Sequence, residues 1–245
     1  MTNKYMIFIA NWKMFGGLNS LNSINPVIKF LKIFKNKKSV KIIYCPPTTL
    51  IYPMYKRLKN TPLMIGGQNC HENHKSGAFT GSINATMLKN VGANYVIIGH
   101  SENRRNGESD TFINQKIKSA IKSGLNVIFC IGETLAERKK KLTKKILNKQ
   151  ITLGLKKIKN KKKILISYEP VWAIGTGIIP KTNELFETIS FIKNKFKDYK
   201  VLYGGSVNPK NIKDLKTIEN LDGFLIGGAS QNSKKFIDII KKTYN

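Results

Sequence analysis

Cysteine is scarce in this chain, with three residues (Cys45, Cys70 and Cys130) among 245. They are too few, and odd in number, for a disulfide framework, and in a cytoplasm they stay reduced. Histidine is as rare, at three residues. Cys70-His71 with His74 close behind is the grouping most like a metal motif. It lacks the second Cys or His cluster that a four-ligand structural zinc site needs, so no metal is expected. Long apolar runs are missing too. The stretch from Met1 to Asn11 is too short in apolar length for a signal h-region or a membrane span, and no later run reaches spanning length. We expect a cytoplasmic protein with no membrane partner.

Acidic residues are short as well. Asp and Glu total 14 against 43 Lys and Arg, a formal net charge of +29. A surplus of this size suggests nucleic acid. Yet the lysines are spread along the chain among many Asn and Ile. The densest runs are Lys139-Lys140-Lys141, in a helical stretch, and Lys161-Lys162-Lys163, just before a strand. Neither has interleaved aromatics on which bases could stack. No nucleic-acid partner is expected; a positive field that draws in a phosphorylated substrate is.

What the chain does have is material for a core, at 41% hydrophobic and 9% aromatic. Short apolar runs recur at Met6–Ala10, Val40–Tyr44, Leu63–Ile65, Tyr95–Ile98, Val127–Ile131, Ile164–Tyr168, Lys200–Tyr203 and Gly223–Ile226. They are continuous rather than alternating, as strands buried on both faces of a parallel sheet should be. Helix signatures lie between them. Ser109-Asp110 can cap Thr111–Ser123, whose stripe is Phe112, Ile113, Ile117, Ala120 and Ile121, with Gly124 closing it. Thr182-Asn183-Glu184 opens another helix with Phe186, Ile189 and Ile192 inward, and Asn232-Ser233 caps the last. Eight strand–helix units leave about 30 residues each, one βα repeat. An open doubly wound sheet would more often have five or six strands. The reading is one domain, residues 1–245, folded as a (β/α)8 barrel.

In such barrels the chemistry sits where the strands end. Asn11-Trp12-Lys13 follows the first strand, an amide and a lysine able to anchor an anion. Gly99-His100-Ser101-Glu102 follows the fourth and brings a histidine suited to proton or hydrogen-bond chemistry. After the sixth comes Glu169, then Pro170-Val171-Trp172-Ala173-Ile174-Gly175-Thr176-Gly177. The glycines, the proline and an exposed-looking Trp172 suit a lid that shuts water away from the carboxylate. Gly204-Gly205-Ser206 and Gly227-Gly228-Ala229-Ser230 follow the seventh and eighth, where barrels build phosphate sites from backbone N–H groups.

Asn-Trp-Lys, Gly-His-Ser-Glu, Tyr-Glu-Pro-Val-Trp-Ala-Ile-Gly-Thr-Gly, Tyr-Gly-Gly-Ser-Val and Gly-Gly-Ala-Ser together resemble the motif set of the triosephosphate isomerase family, in its order, from about Phe8 to the last helix. The resemblance implies a TIM barrel that interconverts dihydroxyacetone phosphate and D-glyceraldehyde 3-phosphate through an enediolate, in glycolysis and gluconeogenesis. No metal or organic cofactor is implied. By the same resemblance Glu169 is the base, and His100 polarises the carbonyl as a neutral imidazole, a pattern of which this family is itself the standard example. Lys13 and Asn11 hold substrate oxygens, and Gly175, Ser206, Gly227 and Gly228 hold the phosphate. Glu102 would pair with Lys13, and Ser101 with Glu169 while the lid is open.

The family is usually a homodimer, and Gly77–Gly81 looks like its inserting loop, with Thr80 at the tip near the partner's Asn11. Three departures stand out: Ser82 where the family commonly has Glu, Asn103 where it has Arg, with one residue fewer before Glu108, and Ile178-Ile179-Pro180 at the far hinge of the lid. The charges absent at Ser82 and Asn103 would have paired across the interface, and a pair lost whole leaves no orphan. The alternative is another phosphate-binding barrel isomerase or lyase, which would need neither Glu169 with this lid nor Lys13 and His100 together.

Overall fold

The computed structural model describes residues 4–245; the first three positions of the expected 1–245 span lie outside the described residues. Eight strands are present: β1 Met6–Asn11, β2 Val40–Cys45, β3 Met64–Gly67, β4 Tyr95–Ile98, β5 Asn126–Ile131, β6 Ile164–Tyr168, β7 Lys200–Tyr203 and β8 Gly223–Ile226. Each runs parallel to its successor, and β8 pairs back onto β1, with Ile7 beside Gly223 and Ala10 beside Ile226. The sheet is therefore a closed barrel. Helices surround it: α1 Asn25–Ile33, α2 Ile51–Leu58, α3 Ala85–Asn90, α4 Ser101–Arg105, α5 Asp110–Lys122, α6 Leu135–Lys139, α7 Thr143–Gly154, α8 Thr182–Lys195, α9 Ile212–Leu215 and α10 Ser233–Tyr244. Among the described residues no helix is long and apolar enough to cross a membrane.

The continuous apolar runs reflect two buried layers that share each strand. Ile7, Ile9, Ile43, Ile97, Ile128, Leu165, Leu202 and Leu225 fill the barrel interior. Their neighbours along the strands, among them Phe8, Ile42, Val96, Phe129, Ile166 and Phe224, pack under the helices. Neither face meets water, so no polar alternation is written into these segments.

β3 is displaced from the expected Leu63–Ile65 because it ends in glycines. A Cβ at Gly66 would stand 2.7 Å from Cys45 Sγ, and one at Gly67 2.8 Å from Leu88 Cδ1. Packing removed the side chains that would have marked the strand. The α5 cap is as expected, with Ser109 Oγ accepting from the Phe112 N–H at 3.2 Å. Of its stripe, Ile113, Ile117 and Ala120 are buried, while Phe112 and Ile121 are half-buried. The expected inner face of α8 needs correction. Leu185, Thr188, Ile189 and Ile192 face inward, whereas Phe186 is 43% exposed. Leu185, Ile189 and Ile192 follow the i, i+4, i+7 spacing of one helical face, and Phe186 lies a step of about 100° away from it. At the start of α10, Asn232 Oδ1 accepts from the Lys235 N–H at 3.1 Å.

In equilibrium denaturation, Ile189→Ala should cost about 2–5 kcal/mol, and Phe186→Ala should stay within about 0.5 kcal/mol. Equal losses would put Phe186 back in the core.

Candidate active site

Parallel closure brings all eight strand ends to one rim, and the residues just beyond them converge there. Asn11 ends β1 and is 5% exposed; its Oδ1 accepts from the Lys13 N–H at 3.0 Å. That contact helps hold Lys13 at φ 53°, a left-handed conformation that costs a non-glycine residue about 1–3 kcal/mol. Gln68 Nε2 donates to the Lys13 carbonyl at 2.8 Å and to that of Cys45 at 2.9 Å, which holds the loop to β2. Lys13 Nζ reaches Glu102 Oε1 at 2.6 Å. Partial burial pushes Glu102 up, but the Lys13 bond and the Lys13 and Arg105 charges outweigh it, and the carboxyl sits below its ordinary range.

His100 follows β4 and caps α4. Its Nδ1 accepts from the Glu102 N–H at 3.3 Å, so that nitrogen carries no proton and the ring proton lies on Nε2. Nε2 faces Glu169 Oε2 at 3.4 Å. Glu169 is 3% exposed, and its Oε1 has no hydrogen-bond partner. A buried carboxylate oxygen without a donor is a costly arrangement, and it marks the group as an acceptor ready for use. Ser101, expected to bond Glu169 when the lid is open, makes no hydrogen bond to it in this arrangement, because the carboxylate is turned toward His100. Burial, the Glu169 charge and a hydrogen bond to that carboxylate keep the Cys130 thiol well above its ordinary range, hence protonated and a weak donor to Glu169.

Asn11, Lys13, His100 and Glu169 line a cavity of about 730 Å³ together with Ile174, Gly175, Gly177, Gly204, Ser206, Leu225, Gly227 and Gly228. The expected catalytic and phosphate-holding residues therefore share one space. Ser206 sits at φ 48°. Its Oγ donates to the Ala173 carbonyl at 2.5 Å and accepts from the Gly177 N–H at 3.1 Å. These two bonds latch the 170–177 loop over the cavity. Thr80 is not part of this cavity; it is exposed on the turn around Gly77–Ser82. At the Cys70–His74 stretch, His71 Nδ1 accepts from the Asn73 N–H at 3.1 Å and its ring packs on Phe79 at 4.4 Å. Among the described residues no cluster of His, Cys, Asp and Glu could hold a metal ion.

The family profile described as triosephosphate isomerase matches residues 6–243. The chain belongs to the triosephosphate isomerase family. It is 40% identical over 250 residues to the triosephosphate isomerase of Thermodesulfovibrio yellowstonii, covering 98% of this chain and all of that one. It is 40% identical to the Aquifex aeolicus protein of the same name, over 96% of this chain and 98% of that one. The crystal structure of triosephosphate isomerase from Bartonella henselae superposes with a TM-score of 0.89 at 33% identity, over 98% of this chain and all of that one.

One residue that supports the site carries no motif of its own. Glu133, just after β5, is fully buried. Both its oxygens accept from the Tyr168 hydroxyl at 3.2 Å, Oε1 also accepts from Trp172 Nε1 at 3.2 Å, and Arg138 approaches at 3.4 Å. Its backbone carbonyl takes the Val171 N–H at 3.0 Å. Burial and the Glu133 charge hold the Tyr168 hydroxyl well above its ordinary range, so it remains a donor. Trp172 is accordingly half-buried beneath the Arg138 guanidinium, 4.8 Å from the ring, rather than exposed. Gly132-Glu133 occupies a strand end like the other site residues, and that position was the available signal.

Glu133 thus anchors the near end of the lid. Glu133→Ala should lower stability by about 1–3 kcal/mol by leaving Tyr168 and Trp172 unpaired. It should also raise iodide quenching of Trp172 fluorescence, since Trp12 is buried. Unchanged quenching would show that the lid is held elsewhere.

Proposed function

We propose that this chain is a triosephosphate isomerase that interconverts dihydroxyacetone phosphate and D-glyceraldehyde 3-phosphate, with Glu169 as the proton carrier. The observation that carries the reading is the buried Glu169 carboxylate with one open oxygen, set beside His100 Nε2 in the same cavity as Lys13 and the glycine-rich loops. In the forward direction Glu169 takes a proton from the hydroxymethyl carbon, and the electron pair moves through the new C–C double bond onto the carbonyl oxygen. The His100 Nε2–H hydrogen-bonds that oxygen as charge gathers on it, and the Lys13 ammonium offsets the charge from the other side. The hydroxyl proton of the enediolate passes from the terminal oxygen to the adjacent one, and Glu169 returns its proton to the neighbouring carbon, which leaves the aldehyde at the terminal carbon and a hydroxyl on its neighbour. The same carboxylate acts as base and then as acid, so no metal or cofactor is called for.

The phosphate rests on backbone N–H groups of Gly175, Ser206, Gly227 and Gly228 in this reading, with Asn11 and Lys13 holding substrate oxygens. The latched lid keeps water from the enediolate, which would otherwise expel phosphate. The wider positive surface draws in the dianionic substrate. A cytoplasmic location fits three buried, unpaired thiols and this substrate. Family membership does not favour another phosphate-binding barrel enzyme.

Removing the base without changing shape tests the assignment. In a coupled assay with glyceraldehyde 3-phosphate and no added metal, Glu169→Gln should lower kcat by at least about 10²–10⁴-fold with phosphate binding little changed. Turnover near that of the parent would sink it.

The same reading includes a homodimer. Met14 is 94% exposed, Phe15 59% and Phe79 46%, on the loop after β1 and on the Thr80 turn. A second cavity, of about 570 Å³, opens beside Lys13 between Gln68, Ser82, Glu102 and Asn103. Apolar side chains this exposed beside a cavity suit a seat for a partner's Thr80 turn. Sedimentation at micromolar concentration should show a dimer, and replacing Ala78–Gly81 with a short polar turn should give monomers of much reduced activity. A fully active native monomer would refute the assembly while leaving the chemistry of Glu169 standing.

A further inference from the structure

We propose that Gly204 is a positioning residue for the base: its missing side chain is the space in which the Glu169 carboxyl reaches His100. The proposal rests on the reading of Glu169 as the proton carrier. Gly204 directly follows β7 and lines the cavity. Its backbone is not in the left-handed region, so φ alone would admit alanine. Space would not. A methyl at Gly204 would stand 2.4 Å from Glu169 Cγ, 2.9 Å from its Cδ and 3.2 Å from Ser167 Oγ, and real carbons essentially never approach below 3.0 Å.

Something must move, and the backbones are tied. The Gly204 N–H donates to the Tyr168 carbonyl at 3.0 Å, one step beyond the β6–β7 register that pairs Tyr168 with Tyr203. The Glu169 N–H donates to the Ile131 carbonyl at 2.8 Å. What remains free is rotation of the Glu169 side chain. Because the nearest atom is Cγ, in mid-chain, that rotation carries the whole carboxyl away from His100 Nε2. The other cavity glycines differ. Gly175, Gly177 and Gly228 have nothing within 4 Å of a built Cβ, and Gly227 meets Lys13 Cε at an ordinary 3.7 Å. Gly204 alone among these presses on a reacting group.

A displacement of about 1 Å is enough to cost about 10² in rate, so Gly204→Ala should lower kcat by about that factor, with KM and the inhibition constant of inorganic phosphate within about twofold of the parent. In the Glu169→Ala background the obstructing carbons are gone. Adding Gly204→Ala there should change the residual turnover by less than about twofold. An unchanged kcat in the single variant, or the same loss in both backgrounds, would overturn the proposal. If the methyl blocks folding outright, the double variant should fold, and its failure to do so would equally overturn it. Full turnover in Glu169→Ala alone would instead refute the reading of the base.

Discussion

The hydrogen bonds between β8 and β1 close the parallel ladder, and the site depends on that closure. A closed sheet of parallel strands places every strand C-terminus on one rim, so Asn11, His100, Glu133, Glu169, Gly204 and Gly227 become neighbours although they are spread over most of the chain. Closure also fixes backbone positions to within a hydrogen bond. The Glu169 N–H on Ile131 and the Gly204 N–H on Tyr168 extend the ladder beyond the strands themselves. Side chains that start from backbones held this firmly need little reorganisation when the substrate changes charge.

The rim is built under tension that the rest of the fold supports. Lys13 and Ser206 both adopt positive φ without being glycine, and Glu169 keeps a buried oxygen without a donor. The two strained backbones have compensating contacts: Asn11 and Gln68 around Lys13, and the Ala173 and Gly177 bonds of Ser206. Local strain and an unsatisfied acceptor are features that persist where function needs them. The lid joins the two sides of the site, since Glu133 holds Trp172 at one end and Ser206 holds Gly177 at the other.

Several of the few acidic residues are held in ion pairs. Glu102 meets Lys13, Asp110 meets Arg104, Glu108 meets the buried Lys116, and Asp222 meets Lys193. Arg104 also binds the carbonyls of Gly99 and Cys130, and so ties the His100 loop to β5. With the acids held in such pairs, the lysine surplus is left on the surface as an unbalanced positive field.

The strands, their order and the helix caps were legible in the chain because they depend on local facts. Runs buried on two faces read as unbroken apolar stretches, and Ser109 and Asn232 cap by reaching backbone only three residues away. The motifs at the strand ends named many of the residues that line the candidate cavity for the same reason, each being a short contiguous string. What escaped depends on contacts between segments distant in sequence. The bounds of β3 are not legible along the chain because its glycines answer to Cys45 and Leu88. Phe186 reads as inward in the chain and is exposed in the fold, because hydrophobicity alone does not say where the stripe of α8 meets the barrel. Glu133 is one acid after a strand until folding brings Tyr168, Trp172 and Arg138 around it. Gly204 is one of two adjacent glycines until the register of β6 and β7 sets the Glu169 side chain against it. Which residue types stand at each strand end can be read along the chain; the distances between them cannot, because they are set by a ladder that exists once the barrel has closed.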